Sequence, residues 1–266
     1  MLQKISFIFF ILFGLSNNLA AQYNFAPEIG VIAGPVELRS DYGQRNNSGN
    51  NFKNSGFGIG FVHFLNFSYN QKLFSKDSYF KEHFKIRTEL SYSKSNLKHH
   101  GKYVEANPNS LAVQQLKAMY GSTQLLNLGL QLEYHFKNIH DFEKVDNNLS
   151  PFMSLGMQLS HYNTKASSTL GMLGTTAVTY PKYLTPSKGH PYGFATEKGA
   201  VFSIVSSLGT RYKLSALEDL MVDLRFQYFT SDWVDGLNPN RKIYTENKTN
   251  DWLVWFNVGY IHYLRD

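Results

Sequence analysis

Asp251-Trp-Leu-Val-Trp-Phe-Asn-Val-Gly-Tyr-Ile-His-Tyr-Leu264 alternates two faces. Trp252, Val254, Phe256, Val258, Tyr260, His262 and Leu264 lie on one, and Asn257 and Gly259 on the other. Period-two patterning with aromatics towards both ends marks a strand with one apolar face along its whole length. At an open sheet edge such a strand invites association, whereas a closed transmembrane barrel pairs it with the first strand. The whole chain is therefore expected to be such a barrel.

Working outward from this strand, the same alternation recurs. Leu220, Val222, Leu224, Phe226 and Tyr228 oppose Asp223, Arg225 and Gln227. Phe202, Ile204, Leu208 and Tyr212 oppose Ser203, Ser207, Gly209 and Arg211. Met153, Leu155, Met157 and Leu159 oppose Ser154, Gly156, Gln158 and Ser160. The alternation is cleanest where Leu126, Leu128, Leu130, Leu132, Tyr134 and Phe136 face away from Asn127, Gly129, Gln131, Glu133 and His135. Earlier, Phe84, Ile86, Leu90 and Tyr92 oppose Lys85, Arg87, Glu89 and Ser91. Phe57, Ile59, Phe61, Leu65 and Phe67 oppose Gly56, Gly58, Gly60, Asn66 and Ser68, with His63 on the apolar face, where a bulge or change of phase is expected. The first strand sets Phe25, Ile29, Val31 and Ala33 against Glu28 and Gly30.

Eight strands result, each long enough for the ~9–11 residues that cross a bilayer at a tilt. Their connections alternate long (37–55, 94–121, 164–199, 231–250) with short (70–81, 137–150, 215–219), and 110–120 has the composition of a helical turn or two. An even strand number with long outer loops and short periplasmic turns is the bacterial outer-membrane pattern, and it puts both termini in the periplasm. The fold class is thus all-β, an eight-stranded antiparallel up-and-down transmembrane β-barrel, with a single barrel domain over residues 22–266.

The start of the chain is consistent with export. Lys4 precedes Ile5-Ser-Phe-Ile-Phe-Phe-Ile-Leu-Phe-Gly-Leu15, and Ala20-Ala21 offers a cleavage site, so a signal peptide over 1–21 is expected, with a retained anchor helix as the alternative. The chain has no Cys, which leaves no disulfides and no lipoprotein anchor. Aromatics make up 15% and charged residues 17%, against about a quarter charged in ordinary soluble domains. The net charge of +6 is spread out, with no basic cluster or stacking platform for nucleic acid.

Volume decides which face points outward. The apolar faces carry on the order of forty large residues, more than an eight-stranded interior can hold. A soluble lipocalin-like barrel is the competing architecture, and it fails on this ground. The lumen should then contain Glu28, Lys85, Arg87, Glu89, Glu133, Arg211, Asp223 and Arg225, four acids with four bases. Charges removed from water must pair, so a salt-bridged plug is expected in place of an open pore. Tyr92, Tyr134, Phe136, Tyr212, Tyr228, Trp252 and Tyr260 are expected as lipid-facing interfacial girdles.

No residue set points to a metal, a cofactor or catalysis. His99 and His100 are adjacent, point oppositely on extended backbone and chelate poorly. With Lys98, Lys102, Arg241, Lys242 and Lys248 they make basic loops suited to lipopolysaccharide phosphates. His161 is the one candidate base of a lipid-modifying enzyme, but Leu159 and Asn163 flank it on its face and no acid orients it.

Gly30-Val-Ile-Ala-Gly-Pro-Val36, Ser40-Asp-Tyr-Gly-Gln-Arg45, Gly56-Phe-Gly-Ile-Gly-Phe-Val-His-Phe-Leu-Asn-Phe67 and Phe80-Lys-Glu-His-Phe-Lys-Ile-Arg-Thr-Glu-Leu90 resemble an outer-membrane β-barrel family of Bacteroidota, flavobacterial in character. More distantly, in size and pattern, the chain is similar to PorG-like barrels of the type IX secretion and gliding apparatus. The chain is therefore expected to be a non-enzymatic, monomeric barrel with a structural, assembly or binding role among outer-membrane lipid and lipopolysaccharide, and the resemblance implies secretion or gliding proteins as partners. A small solute channel and a lipid-modifying enzyme are the alternatives.

Overall fold

The computed structural model describes residues 26–43, 47–67, 79–105, 107, 109–247 and 249–264. The expected signal peptide, Phe25, Ser68 and Lys248 lie outside them. Eight strands form one closed barrel in chain order: β1 (Ala26–Arg39), β2 (Ser55–Asn66), β3 (Phe84–Lys98), β4 (Met119–His135), β5 (Leu149–Ser168), β6 (Glu197–Ser215), β7 (Glu218–Phe229) and β8 (Trp252–Tyr263). Every neighbouring pair is antiparallel, and β8 returns to β1 through a ladder from Glu28↔Tyr263 to Arg39↔Trp252. Closure leaves no unpaired edge, which is what lets backbone amides sit in hydrocarbon.

The two faces differ in kind. Leu126, Leu128, Leu130 and Leu132 are exposed, Leu128 at 57%, while Arg87, Arg211 and Arg225 on the inner face are wholly buried. The same inversion holds on the other strands, where Phe57, Phe61, Leu155, Met157, Phe202, Leu208 and Phe256 look outward. An apolar belt around the outside and ions around the axis is the surface of a barrel that crosses a bilayer.

Three features depart from the sequence reading. First, no bulge marks His63: the β1–β2 ladder runs unbroken from Ala26↔Asn66 to Glu37↔Ser55, and His63 sits on the outer face against Thr88 Oγ1 at 3.3 Å. Second, the strands towards the long loops outrun the apolar pattern, with β3 reaching Lys98, β4 starting at Met119, β5 ending at Ser168 and β6 starting at Glu197. Beyond the belt both faces of these strands are polar or loop-covered, so hydropathy alternation no longer reports the ladder. Third, the lumen is not lined by small polar residues alone. Ile32, Phe64, Phe152, Trp255, Ile261 and Tyr263 are buried inside it. Glycines make the room: a Cβ on Gly58 would stand 2.7 Å from the Trp255 ring, and one on Gly209 would stand 2.8 Å from the Phe152 ring. Trp255 completes its fit by donating Nε1–H to the Gly34 carbonyl at 3.2 Å.

At one end of the barrel lie the described parts of the connections 67–83, 136–148 and 216–217 together with both ends of the described chain, and at the other the described parts of the four long loops 40–54, 99–118, 169–196 and 230–251. The helix Leu111–Ala118 falls within the stretch expected to turn helically.

Leu128→Arg should destabilise the barrel in lipid by ~2–4 kcal/mol, because its side chain projects from mid-belt. Urea unfolding in phosphatidylcholine vesicles measures this, and an unchanged midpoint would mean the outward face has been assigned wrongly.

Candidate functional site

Two buried polar assemblies occupy the barrel interior, one across its middle and one under the long loops. The first follows from strand geometry: Lys85, Arg87 and Glu89 alternate inward along β3, and register brings β4 and β7 residues to the same level. Lys85 Nζ donates to Glu28 at 2.5 Å, and Arg211 donates to Glu28 at 2.6 Å and to Glu133 at 3.2 Å. Arg87 contacts Glu133 at 3.4 Å, Asp223 at 2.9 Å and Glu89 at 3.0 Å. Arg225 donates to the second Glu89 oxygen at 2.5 Å. All eight residues singled out from the sequence thus fall in one connected network, with side chains at or near zero exposure.

Further members extend it towards the short connections. Lys213 pairs with Asp219 at 3.1 Å, Tyr263 donates to Asp219 at 2.5 Å, and Glu143 reaches Lys85 at 3.4 Å. Six acids then meet five bases, with His135 beside Glu133 at 3.5 Å. Lys213 is legible as the residue two beyond Arg211, and Asp219 as the residue four before Asp223, although Asp219 falls in the expected connection 215–219. Glu143 comes from the short helix Ile139–Glu143, where no strand period points inward. The aromatic residues lie between the cations: Arg211 stacks over Phe64 at 4.1 Å, Lys213 over Tyr263 at 3.8 Å and Arg225 over Trp255 at 4.9 Å.

The second assembly closes the loop end. Asp235, fully buried, accepts from the Asp41 amide at 2.7 Å and the Leu237 amide at 2.6 Å. Asp232 accepts from Asn247 at 3.0 Å and pairs with Arg241 at 3.1 Å. Ala195 N–H donates to Gly236, and Asn238 N–H to Gly193, joining loops 169–196 and 230–251. Gln115 donates to Thr176, and Thr123 inside β4 donates to the Val234 carbonyl at 2.8 Å. Tyr42, Leu97, Leu125, Val201, Val234 and Leu237 form an apolar interior beneath. All four long loops belong to this cap.

His99 is part of the cap. Its Nδ1 accepts from the Gly43 amide at 3.1 Å, its ring lies 4.9 Å from that of Tyr42, and burial, then Lys182, lowers its pKa to about 3. His100 is half-buried. Among the described residues no group of three or more potential ligands converges on a metal position. His161 faces outward between Leu126 and Ala200 and, among the described residues, has neither a hydroxyl nor an acid in contact.

The girdle residues form two levels. Tyr134, Phe136, Tyr212 and Tyr260 ring the end with short connections, and Tyr92, Tyr228 and Trp252 lie towards the long loops. Their polar tips are engaged: Tyr134 with Tyr79 at 2.6 Å, Tyr212 with Asn147 at 2.7 Å and Tyr260 with Glu218 at 2.6 Å. Trp252 lies under the Arg39 guanidinium at 5.0 Å.

No protein-family model and no curated protein sequence matches the chain. Among solved structures it is similar to Neisserial surface protein A (TM-score 0.44, 10% identity, 89% of this chain and 96% of that one). It is also similar to a major outer membrane protein from Thermus thermophilus (0.44, 12%, 90% and 100%) and to Ail of Yersinia pestis in complex with sucrose octasulfate (0.41, 8%, 90% and 99%).

Arg211→Ala removes one of the two cationic partners of each of the buried carboxylates Glu28 and Glu133 and should cost ~3–5 kcal/mol in urea unfolding. A loss under ~1 kcal/mol would mean the lumen rehydrates without penalty. The cap should respond to acid. A histidine with its folded pKa lowered from 6.5 to about 3 stays neutral in the closed cap and takes up protons only when the cap opens. Its stabilisation is therefore complete above about pH 6.5 and declines as pH falls towards 3. Hydrogen exchange at the Gly43 amide, corrected for intrinsic rate, should accelerate over that window in the parent and not in His99→Phe.

Proposed function

We propose that the chain is a monomeric barrel of the bacterial outer membrane, with both termini in the periplasm and the four long loops outside. Its work is binding or assembly, and neither conduction nor catalysis. The observation that carries this is the double closure of the interior, by the ionic network through Arg87 and Arg211 and by the loop cap around Asp235. A lumen crossed by paired charges and aromatic side chains offers no continuous water path for a solute. The short connection 216–217 lies with both ends of the described chain, and bacterial barrels keep short turns in the periplasm, which supports the orientation. The isolated His161 gives no acid–base pair for a lipid-modifying reaction.

The resemblance of 30–36, 56–67 and 80–90 to Bacteroidota barrels, and more distantly to PorG-like ones, supports a place in a type IX secretion or gliding complex. Affinity purification of the tagged barrel from native membranes tests that placement: secretion-machine subunits support it, and a bare barrel counts against it. Planar-bilayer recording tests closure. Conductance should stay near zero for the parent and for Arg87→Ala, whose neighbours still fill the section; large steady unitary currents from the parent would overturn the proposal.

A further inference from the structure

Just beyond the apolar belt, the outer face of β3 to β6 carries lysines and no acids. Register lines the residues into rows. The belt ends at Tyr92–Leu126–His161–Ala200. The next row towards the loops is Lys94–Gln124–Asn163–Lys198, then Asn96–Ser122–Lys165, then Lys98–Tyr120–Ser167. Lys94, Lys98, Lys165 and Lys198 are exposed, and among the described residues none of these amines has an ion-pair partner. Exposed lysines at the opposite end are engaged otherwise, Lys144 near Asp141 at 3.8 Å and Lys137 on Asn148 at 2.8 Å.

The rows are shaped as well as charged. Ser122, on β4, lies between the lysine-bearing strands β3 and β5, and a groove of about 490 Å³ opens there, lined by Asn96, Lys98, Tyr120, Ser122, Lys165 and Ser167. Successive rows are ~7 Å apart along a strand, so the first lysine row falls within the ~5–8 Å headgroup layer that borders the hydrocarbon core. Lys94 and Lys198 are separated by three strand spacings, ~14 Å.

We propose that this groove binds the phosphorylated headgroup of an anionic membrane glycolipid, its acyl chains lying along the belt below. The inference rests on the outer-membrane reading above. Lysine ammoniums make charge-assisted hydrogen bonds to phosphate oxygens, and the hydroxyls of Ser122, Tyr120 and Ser167 with the Asn96 amide suit the sugar and phosphate periphery. The span between lysines accommodates more than one phosphate. Tyr92, Leu126 and Leu128 supply the apolar wall against which acyl chains pack.

The test is native mass spectrometry of the full barrel in detergent micelles, with bis-phosphorylated lipid A as probe. The parent should retain lipid A and prefer it about tenfold over the dephosphorylated form, and K94Q/K98Q/K165Q/K198Q should lose about that factor. Lys94→Gln and Lys165→Gln singly should each weaken retention about threefold. K137Q/K144Q should leave it unchanged. Equal retention of dephosphorylated lipid A, or an unaltered quadruple variant, overturns the site. Displacement of lipid A by equimolar inorganic phosphate would make the groove a free-anion site and overturn the lipid assignment. Insertion into phosphatidylcholine vesicles, followed by unboiled gel mobility, separates the two levels: a parent that does not insert defeats the membrane reading itself, whereas an inserted barrel without phosphate preference defeats only the groove.

Discussion

Arg87 on β3 reaches Asp223 on β7, Arg225 on β7 reaches Glu89 on β3, and Arg211 on β6 reaches Glu28 on β1. These pairs cross the axis and do not run along a ladder. A barrel in lipid has no water on its outside, and this one has its centre filled, so a charge placed on the inner face must find its partner among the other inward side chains, on its own wall or across the axis. Each unpaired ion there would cost several kcal/mol, and pairing offsets most of that without leaving a large surplus. What the network supplies is geometry. A shift of β3 by one residue would turn Lys85, Arg87 and Glu89 into hydrocarbon and send Ile86 and Leu90 among carboxylates. Register and closure are thereby fixed together.

The same constraint explains the aromatic lumen. Cations that meet at one level leave gaps between their planar or rod-like side chains, and the π-faces of Phe64, Trp255 and Tyr263 fill those gaps while attracting the charge. Large rings fit only opposite missing side chains, hence glycine at 58 and 209. The polar centre and the glycine-rich inner faces are two parts of one packing solution.

Much of this is legible in the sequence. Leu126 to Phe136 alternates without interruption, so strand and face followed directly, and the excess of bulky side chains over interior volume settled which face met lipid. The inward positions of β3 and β7 named most of the ionic network. What escaped did so for physical reasons. Trp255, Ile261 and Tyr263 share a face with Asn257 and Gly259, and an apolar residue carries no mark distinguishing lumen from lipid. Strand extension to Lys98 and Ser168 is invisible because the pattern depends on a boundary between oil and water that ends before the strands do. The cap is tertiary throughout: Asp235 meets Asp41 across 194 residues of chain, a contact that no local period encodes.

Function moves outward as a consequence. With the axis occupied and the loops tied into a buried cap, the exposed surfaces are the loop exteriors and the wall. The wall is aliphatic and aromatic over most of its height, which suits acyl chains and discriminates little among them. Discrimination begins where strands rise out of the belt, since there an outward side chain meets both membrane headgroups and solvent. On β3 to β6 those positions are lysines, serines and amides. The ladders that hold them run on from the hydrogen-bonded belt below, so the side chains at the rim rest on a rigid, closed support.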